Sequence, residues 1–75
     1  MKYYVFETET ANGQQAFLTT PKENLDDARM LYHQILASAY ANQSVTYALV
    51  MIIDEGGGVY CFEKLDRPTE VSSDD

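Results

Sequence analysis

The sequence of 75 residues has few of the side chains that small folds use to bind metals or to cross-link themselves. It contains one cysteine, Cys61, and one histidine, His33, which excludes an internal disulfide and a cysteine–histidine zinc site. A domain this small buries only about 60% of its unfolded surface, so its core is marginal unless something adds to it. Because cross-links are missing, oligomerisation is the remaining way to enlarge the core.

Basic residues are also scarce. Five Lys and Arg stand against twelve Asp and Glu, for a net charge of −7. Because phosphate neutralisation needs clustered cations, no direct binding of nucleic acid or anionic lipid is expected. No apolar run approaches the roughly 20 residues that span a membrane, and no leader with a cleavage site precedes the first strand. Together with the lone thiol, these features predict a soluble, cytoplasmic protein.

Residues 45–53 form the most apolar segment of the chain, without charge, Gly or Pro. Rich in β-branched and aromatic residues, it predicts a central strand with two apolar faces. Such a strand needs cover on both sides, whereas the chain supplies one helix. The face with Leu49 is longer and bulkier, so we assign it to the helix. The opposite face, with Val50, is then left for a partner.

The remaining segments predict an α+β domain of order β-β-α-β-β. Asn12-Gly13 joins two strands as a tight hairpin turn. If the helix crosses back over this hairpin, the third strand pairs with the first and the antiparallel sheet order is 2-1-3-4. The polar second strand then lies on an edge. We expect strands over 2–10, 14–20, 45–53 and 59–65, one domain over 1–67 and a disordered acidic tail over 68–75.

Two helix starts compete in the sequence. Thr20 followed by Pro21 has capping-box spacing, and Asn24 precedes two carboxylates that suit the positive first turn. Asn24 is favoured. Asn42 can end the helix in the left-handed conformation. The predicted buried stripe of the helix is Leu25, Ala28, Leu31, Tyr32, Ile35, Leu36, Ala39 and Tyr40.

No catalytic, cofactor or metal site is predicted. His33 has no nucleophile or carboxylate at a useful helical spacing. Cys61 lies between two aromatic residues, without the positive neighbours that activate a thiol, and is interpreted as a buried structural residue. Residues 54–58, two carboxylates followed by three glycines, favour a hairpin turn over a phosphate or calcium loop.

Several short motifs give the chain a family resemblance. They are the tyrosine-rich first strand, Leu25-Asp26-Asp27-Ala28 with Tyr32-His33, Ile53-Asp54 followed by glycine, and a strand ending in Glu63 with Arg67-Pro68 after it. In this combination the chain resembles small uncharacterised proteins carried by phages and mobile elements of Gram-positive gut bacteria. The resemblance implies no known activity. Some small acidic proteins of such elements are inhibitors, including anti-CRISPR proteins, which offers an analogy.

A non-enzymatic protein-binding module, homodimeric through its open sheet face, is the favoured function. The predicted interface consists of Ala48, Val50, Ile52, Tyr60 and Phe62. The alternative is an acidic inhibitor or nucleic-acid mimic that blocks a basic protein surface. Its candidate residues are Asp26, Asp27, Asp54 and Glu55. An enzyme ranks third, and the partner protein is not identified.

Overall fold

The computed structural model describes residues 1–67, and the predicted acidic tail lies outside them. The elements are β1 (Tyr3–Ala11), β2 (Gln14–Lys22), α1 (Leu25–Ala41), β3 (Val45–Asp54) and β4 (Val59–Asp66). The four strands form one antiparallel sheet in the order β2-β1-β3-β4. The predicted element order, fold class and sheet order are therefore confirmed.

The turn between β1 and β2 has the predicted form. Asn12 and Gly13 adopt φ angles of 53° and 78°, the left-handed conformations that a two-residue hairpin turn requires. From this turn, β1 and β2 pair without a register shift as far as Tyr3 and Lys22. The second strand is two residues longer than predicted and includes Pro21, a residue that sheets accept on an edge.

Helix α1 begins where Asn24 caps it. The Asn24 side-chain oxygen accepts a hydrogen bond of 2.8 Å from the backbone N–H of Asp27, while Thr20 belongs to β2. The helix ends at Asn42 as predicted, but the left-handed conformation expected there is wrong, since Asn42 is extended with φ of −99°. Its carbonyl is held by Arg67 and Val45 instead, which makes a left-handed turn unnecessary.

The core lies between α1 and one face of the sheet. The helix buries five residues of the predicted stripe, with Leu25 and Leu31 half-buried and Tyr40 exposed. One cluster joins the first half of α1 to β1 and β3, and a second joins Ala39 to the start of β3 and to β4. The sheet residues buried in the two clusters are Val5, Val45, Ala48, Val50, Ile52 and Leu65.

The helix covers the face of β3 opposite to the predicted one. Val50 and Ile52 are fully buried beneath α1, and Leu49 lies on the open face. Bulk on the sheet does not decide which face the helix covers, because α1 brings its own large side chains, Tyr32, Ile35 and Leu36, to the interface. Ala28 and Ala39 are almost completely buried, and such small residues allow a close approach that short sheet side chains fill best. The larger side chains of β3, Tyr47, Leu49 and Met51, lie on the other face of the sheet.

Candidate functional site on the open sheet face

The sheet face that α1 does not cover has no packing partner among residues 1–67. Its members follow from the pairing register, because directly paired residues point to the same side. Its apolar members are Tyr4, Phe6, Phe17, Pro21, Tyr47, Leu49, Met51, Ile53, Val59 and Phe62. Its polar members are Thr8, Thr10, Gln15, Thr19, Lys64 and Asp66. We call this surface the open face.

The open face differs from the whole protein in charge and in exposure. Its charged members are one cation and one anion, Lys64 and Asp66, although the chain carries −7 overall. Phe17 and Phe62 are 75% and 62% exposed, whereas Leu49 and Met51 are half-buried between them. An apolar surface flanked by exposed aromatic residues is typical of a protein contact site.

The structure rearranges the predicted interface. Ala48, Val50 and Ile52 lie in the core beneath the helix, so their assignment to an open surface is wrong. Phe62 pairs with Met51 and lies on the open face as expected. Tyr60 does not, because an irregularity in the β3–β4 pairing turns it towards α1.

Tyr60 is held on the helix side by Arg29. The Arg29 guanidinium group lies 5.2 Å from the centre of the Tyr60 ring and also donates a hydrogen bond to its hydroxyl. A cation over an aromatic face is attracted by the negative ring surface. No local pattern predicts this contact, since Arg29 and Tyr60 are separated by the rest of α1 and the whole of β3.

Asp54, a candidate of the acidic alternative, is engaged in its own turn. Its carboxylate accepts hydrogen bonds of 2.9 Å from the N–H groups of Gly56 and Gly58. Gly57 adopts a φ of 91°, which glycine allows without strain. The predicted hairpin turn is confirmed, and the Asp54 carboxylate serves it.

The other acidic candidates lie in different local settings, and Glu55 lies beside Lys2. Glu55 accepts a hydrogen bond from the backbone nitrogen of Lys2, and the Lys2 ammonium group lies 3.9 Å from Glu23. Asp27 contacts the capping side chain of Asn24. Asp26 is exposed in the first turn of α1. These carboxylates do not form the uninterrupted negative surface that a nucleic-acid mimic requires.

Cys61 and Tyr32 face each other beneath the helix. Cys61 packs against the first core cluster, as predicted for a structural thiol. It is only half-buried, however, and not fully buried as predicted. Burial, with the nearby Cys61 and Glu63 side chains, raises the pKa of Tyr32 to about 12. His33 stacks edge-on against the Tyr32 ring on the exposed side of α1.

A second surface was not anticipated from the sequence. Glu7 and Glu9 lie on the helix face of β1, beyond the part that α1 covers, next to Ala16 and Leu18 of β2. With Phe17 these residues line an open groove of about 220 Å³, which we call the edge groove. Burial raises the pKa of Glu7, and the charge of Glu9 raises it further. The signal available in the sequence was the alternation that places both carboxylates on one side of β1.

Neither protein-family models, nor curated proteins, nor solved structures gave a match to this chain. Within residues 1–67, no helix combines the length and the apolar character that crossing a membrane requires. The same residues contain no cluster of three His, Cys, Asp or Glu side chains that could hold a metal ion. The open face and the edge groove are therefore the two surfaces from which function can be argued.

Proposed function

We propose that this chain is a small, non-enzymatic protein-binding module that homodimerises through its open face. The observation that carries the proposal is an apolar, aromatic sheet face with no covering element among the described residues. Sheets of soluble domains commonly bury such a face against a second layer. Helix α1, the helix of residues 1–67, already covers the other side.

A second copy suits the open face because of its charges. Two proteins of net charge −7 repel each other at most orientations. The open face escapes this repulsion, since Lys64 and Asp66 cancel and the remaining members are uncharged. A two-fold axis brings the same surface of both copies together, so each partner supplies one cation and one anion. Face-to-face packing of two sheets, about 10 Å apart, is the geometry expected.

Sedimentation equilibrium of two methionine variants tests the proposal. Met51 is central on the open face, and Met30 is exposed on the outer side of α1. The wild-type protein should dimerise at micromolar concentration, Met51→Lys should be a folded monomer, and Met30→Lys should dimerise like the wild type. A monomeric wild type, or two variants that behave alike, would show that the open face does not serve self-association.

The acidic inhibitor has weaker support. Asp54 and Glu55 are occupied by hydrogen bonds within the molecule, and Lys2 lies among the same carboxylates. We therefore rank it second, without an observation that favours it.

A further inference from the structure

The two edges of the sheet are protected to different degrees. Strand β4 carries Glu63, Lys64 and Asp66, and its pairing with β3 is irregular near Val59. Charges and bulges of this kind prevent a sheet edge from pairing with other chains. Over residues 14–20 strand β2 has neither protection, because these residues are uncharged and pair with β1 in a continuous register, and its edge proline, Pro21, lies near its end. The edge at β2 is therefore the one open to another strand.

The hairpin geometry identifies the backbone groups that β2 presents to solvent. In a two-residue hairpin the residues that flank the turn, Ala11 and Gln14, form a hydrogen-bonded pair, and such pairs then alternate along the strands. The N–H and C=O groups of Gln15, Phe17 and Thr19 consequently point away from β1. Pro21 falls in the same outward series, where its missing N–H costs no hydrogen bond with β1.

The side chains around this edge differ between the two sheet faces. Phe17, on the open face, is 75% exposed, and Leu18, on the helix face, is 58% exposed. Beside Leu18 lies the edge groove, where Ala16 leaves space towards the carboxylates of Glu7 and Glu9. A strand added to β2 would have apolar surroundings on one face and an acidic groove on the other.

Within residues 1–67, the carboxylates of the edge groove form no ion pair. The ion pair recorded among these residues joins the Lys2 ammonium group to the Glu23 carboxylate, and it lies at the opposite end of β1 from the edge groove. Glu7 is half-buried and lies near a second negative charge, a combination that an added cation would relieve. A Lys or Arg side chain can lay its aliphatic stem over Ala16 and bring its charged end to the carboxylates.

We propose that β2 docks an extended segment of a partner protein as a fifth, antiparallel strand, in which basic side chains that enter the edge groove alternate with apolar side chains on the open face. This is strand addition at a sheet edge, in which the backbone gives affinity and alternate side chains give specificity. The docking edge adjoins the open face at Phe17, but its hydrogen bonds come from the backbone of β2, so this proposal does not depend on the proposed dimer.

A nine-residue peptide of alternating valine and lysine is the probe, with binding measured by fluorescence anisotropy at low and high salt. It should bind the wild-type protein, more weakly in salt. A valine–glutamate peptide of the same length should not bind. The Glu7→Gln/Glu9→Gln double variant should lose at least tenfold in affinity for the basic peptide, whereas Glu23→Gln, a change at an exposed carboxylate, should bind it like the wild type.

Backbone methylation of the peptide separates strand addition from simple charge attraction. In an antiparallel pair, directly opposite residues share a face, so the peptide residues that exchange hydrogen bonds with Phe17 are the valines. Methylating the valine amides should abolish binding, and methylating the lysine amides should preserve it. Equal binding of the two methylated peptides would overturn the proposal.

Thr19→Pro provides the complementary change in the protein. It removes one outward N–H group without altering the carboxylates. The affinity for the basic peptide should fall at least tenfold, while the circular dichroism spectrum remains native. Unchanged affinity in a folded Thr19→Pro variant would exclude the β2 edge. If the peptide fails to bind and Thr19→Pro instead converts a wild-type dimer to monomer, the occupant is a second copy and the basic partner is wrong.

Discussion

The guanidinium group of Arg67 donates a hydrogen bond of 2.8 Å to the carbonyl oxygen of Tyr40, in the last turn of α1. The same group donates to the carbonyls of Asn42 and Val45 at 2.8 and 2.9 Å. The last turn of α1 contains no basic residue, so a residue 27 positions later in the chain supplies the cation that suits a helix C-terminus. Arg67 thus fastens the end of β4 to the connection between α1 and β3.

Replacing Arg67 by lysine should destabilise the fold by about 1.5–3 kcal/mol, the range for lost hydrogen bonds to a charged group. One ammonium group cannot reproduce the planar set of donors that reaches three carbonyls. Urea unfolding measures the change. Lys64→Arg, a change at an exposed cation of β4, is the control and should change stability by less than about 0.5 kcal/mol. Equal losses in both variants would refute a special role for Arg67.

The topology could be predicted because its determinants are local or repetitive. Asn12-Gly13 specifies a hairpin, Asn24 caps the helix, and the apolar segment 45–53 belongs at the centre of a sheet. Each signal is contained in a few neighbouring residues, and together they permit one sheet order.

The long-range contacts could not be predicted in the same way. Which face of β3 meets the helix depends on how closely Ala28 and Ala39 approach the sheet, a property of two elements packed together. Likewise, Tyr60 meets Arg29 only because the β3–β4 pairing is irregular. The alternation of side chains along β3 shows that the strand has two faces, but it does not identify the face that the helix covers.

Replacing Glu7 by glutamine should stabilise the protein at neutral pH. The folded pKa of Glu7 is raised, by burial first and by Glu9 second, so its protonated form suits the fold best. Its contribution to stability is complete below the ordinary value of 4.5 and is lost as pH rises through the raised folded value. Thermal unfolding should show a Tm higher by a few degrees at pH 7 and no difference below pH 4.

Glu23→Gln is the matched control for this experiment, since its side chain is 83% exposed. It should leave the Tm nearly unchanged at both pH values. A destabilised Glu7→Gln variant at neutral pH would show instead that the charged form of Glu7 has a stabilising contact.

Replacing Tyr32 by phenylalanine should alter unfolding in alkali. The folded pKa of Tyr32 is about 12 against an ordinary value of 10.0, so the stability that depends on its neutral form is complete below pH 10 and is lost as pH rises towards 12. Tyr32→Phe should lose less stability over this interval and should also lack the phenolate absorbance step near pH 12. Identical alkaline profiles for the variant and the wild type would contradict the buried position of the hydroxyl.

The last prediction compares Leu49→Asp with Val50→Asp, two adjacent changes on opposite faces of β3. Val50 is fully buried beneath α1, so an aspartate there is an unpaired buried charge. Its cost of several kcal/mol is comparable with the whole stability of a small domain, and the variant should be unfolded by circular dichroism.

Leu49→Asp places the same charge on the open face, where water can reach it in a monomer. This variant should retain native circular dichroism and fail to dimerise in sedimentation, because a dimer would bury two aspartates facing each other across the two-fold axis. Lys64 is the residue paired with Leu49 and offers a partial counter-charge within each monomer, which favours survival of the fold. An unfolded Leu49→Asp beside a folded Val50→Asp would reverse the two faces, and a folded, dimeric Leu49→Asp would move self-association away from the open face.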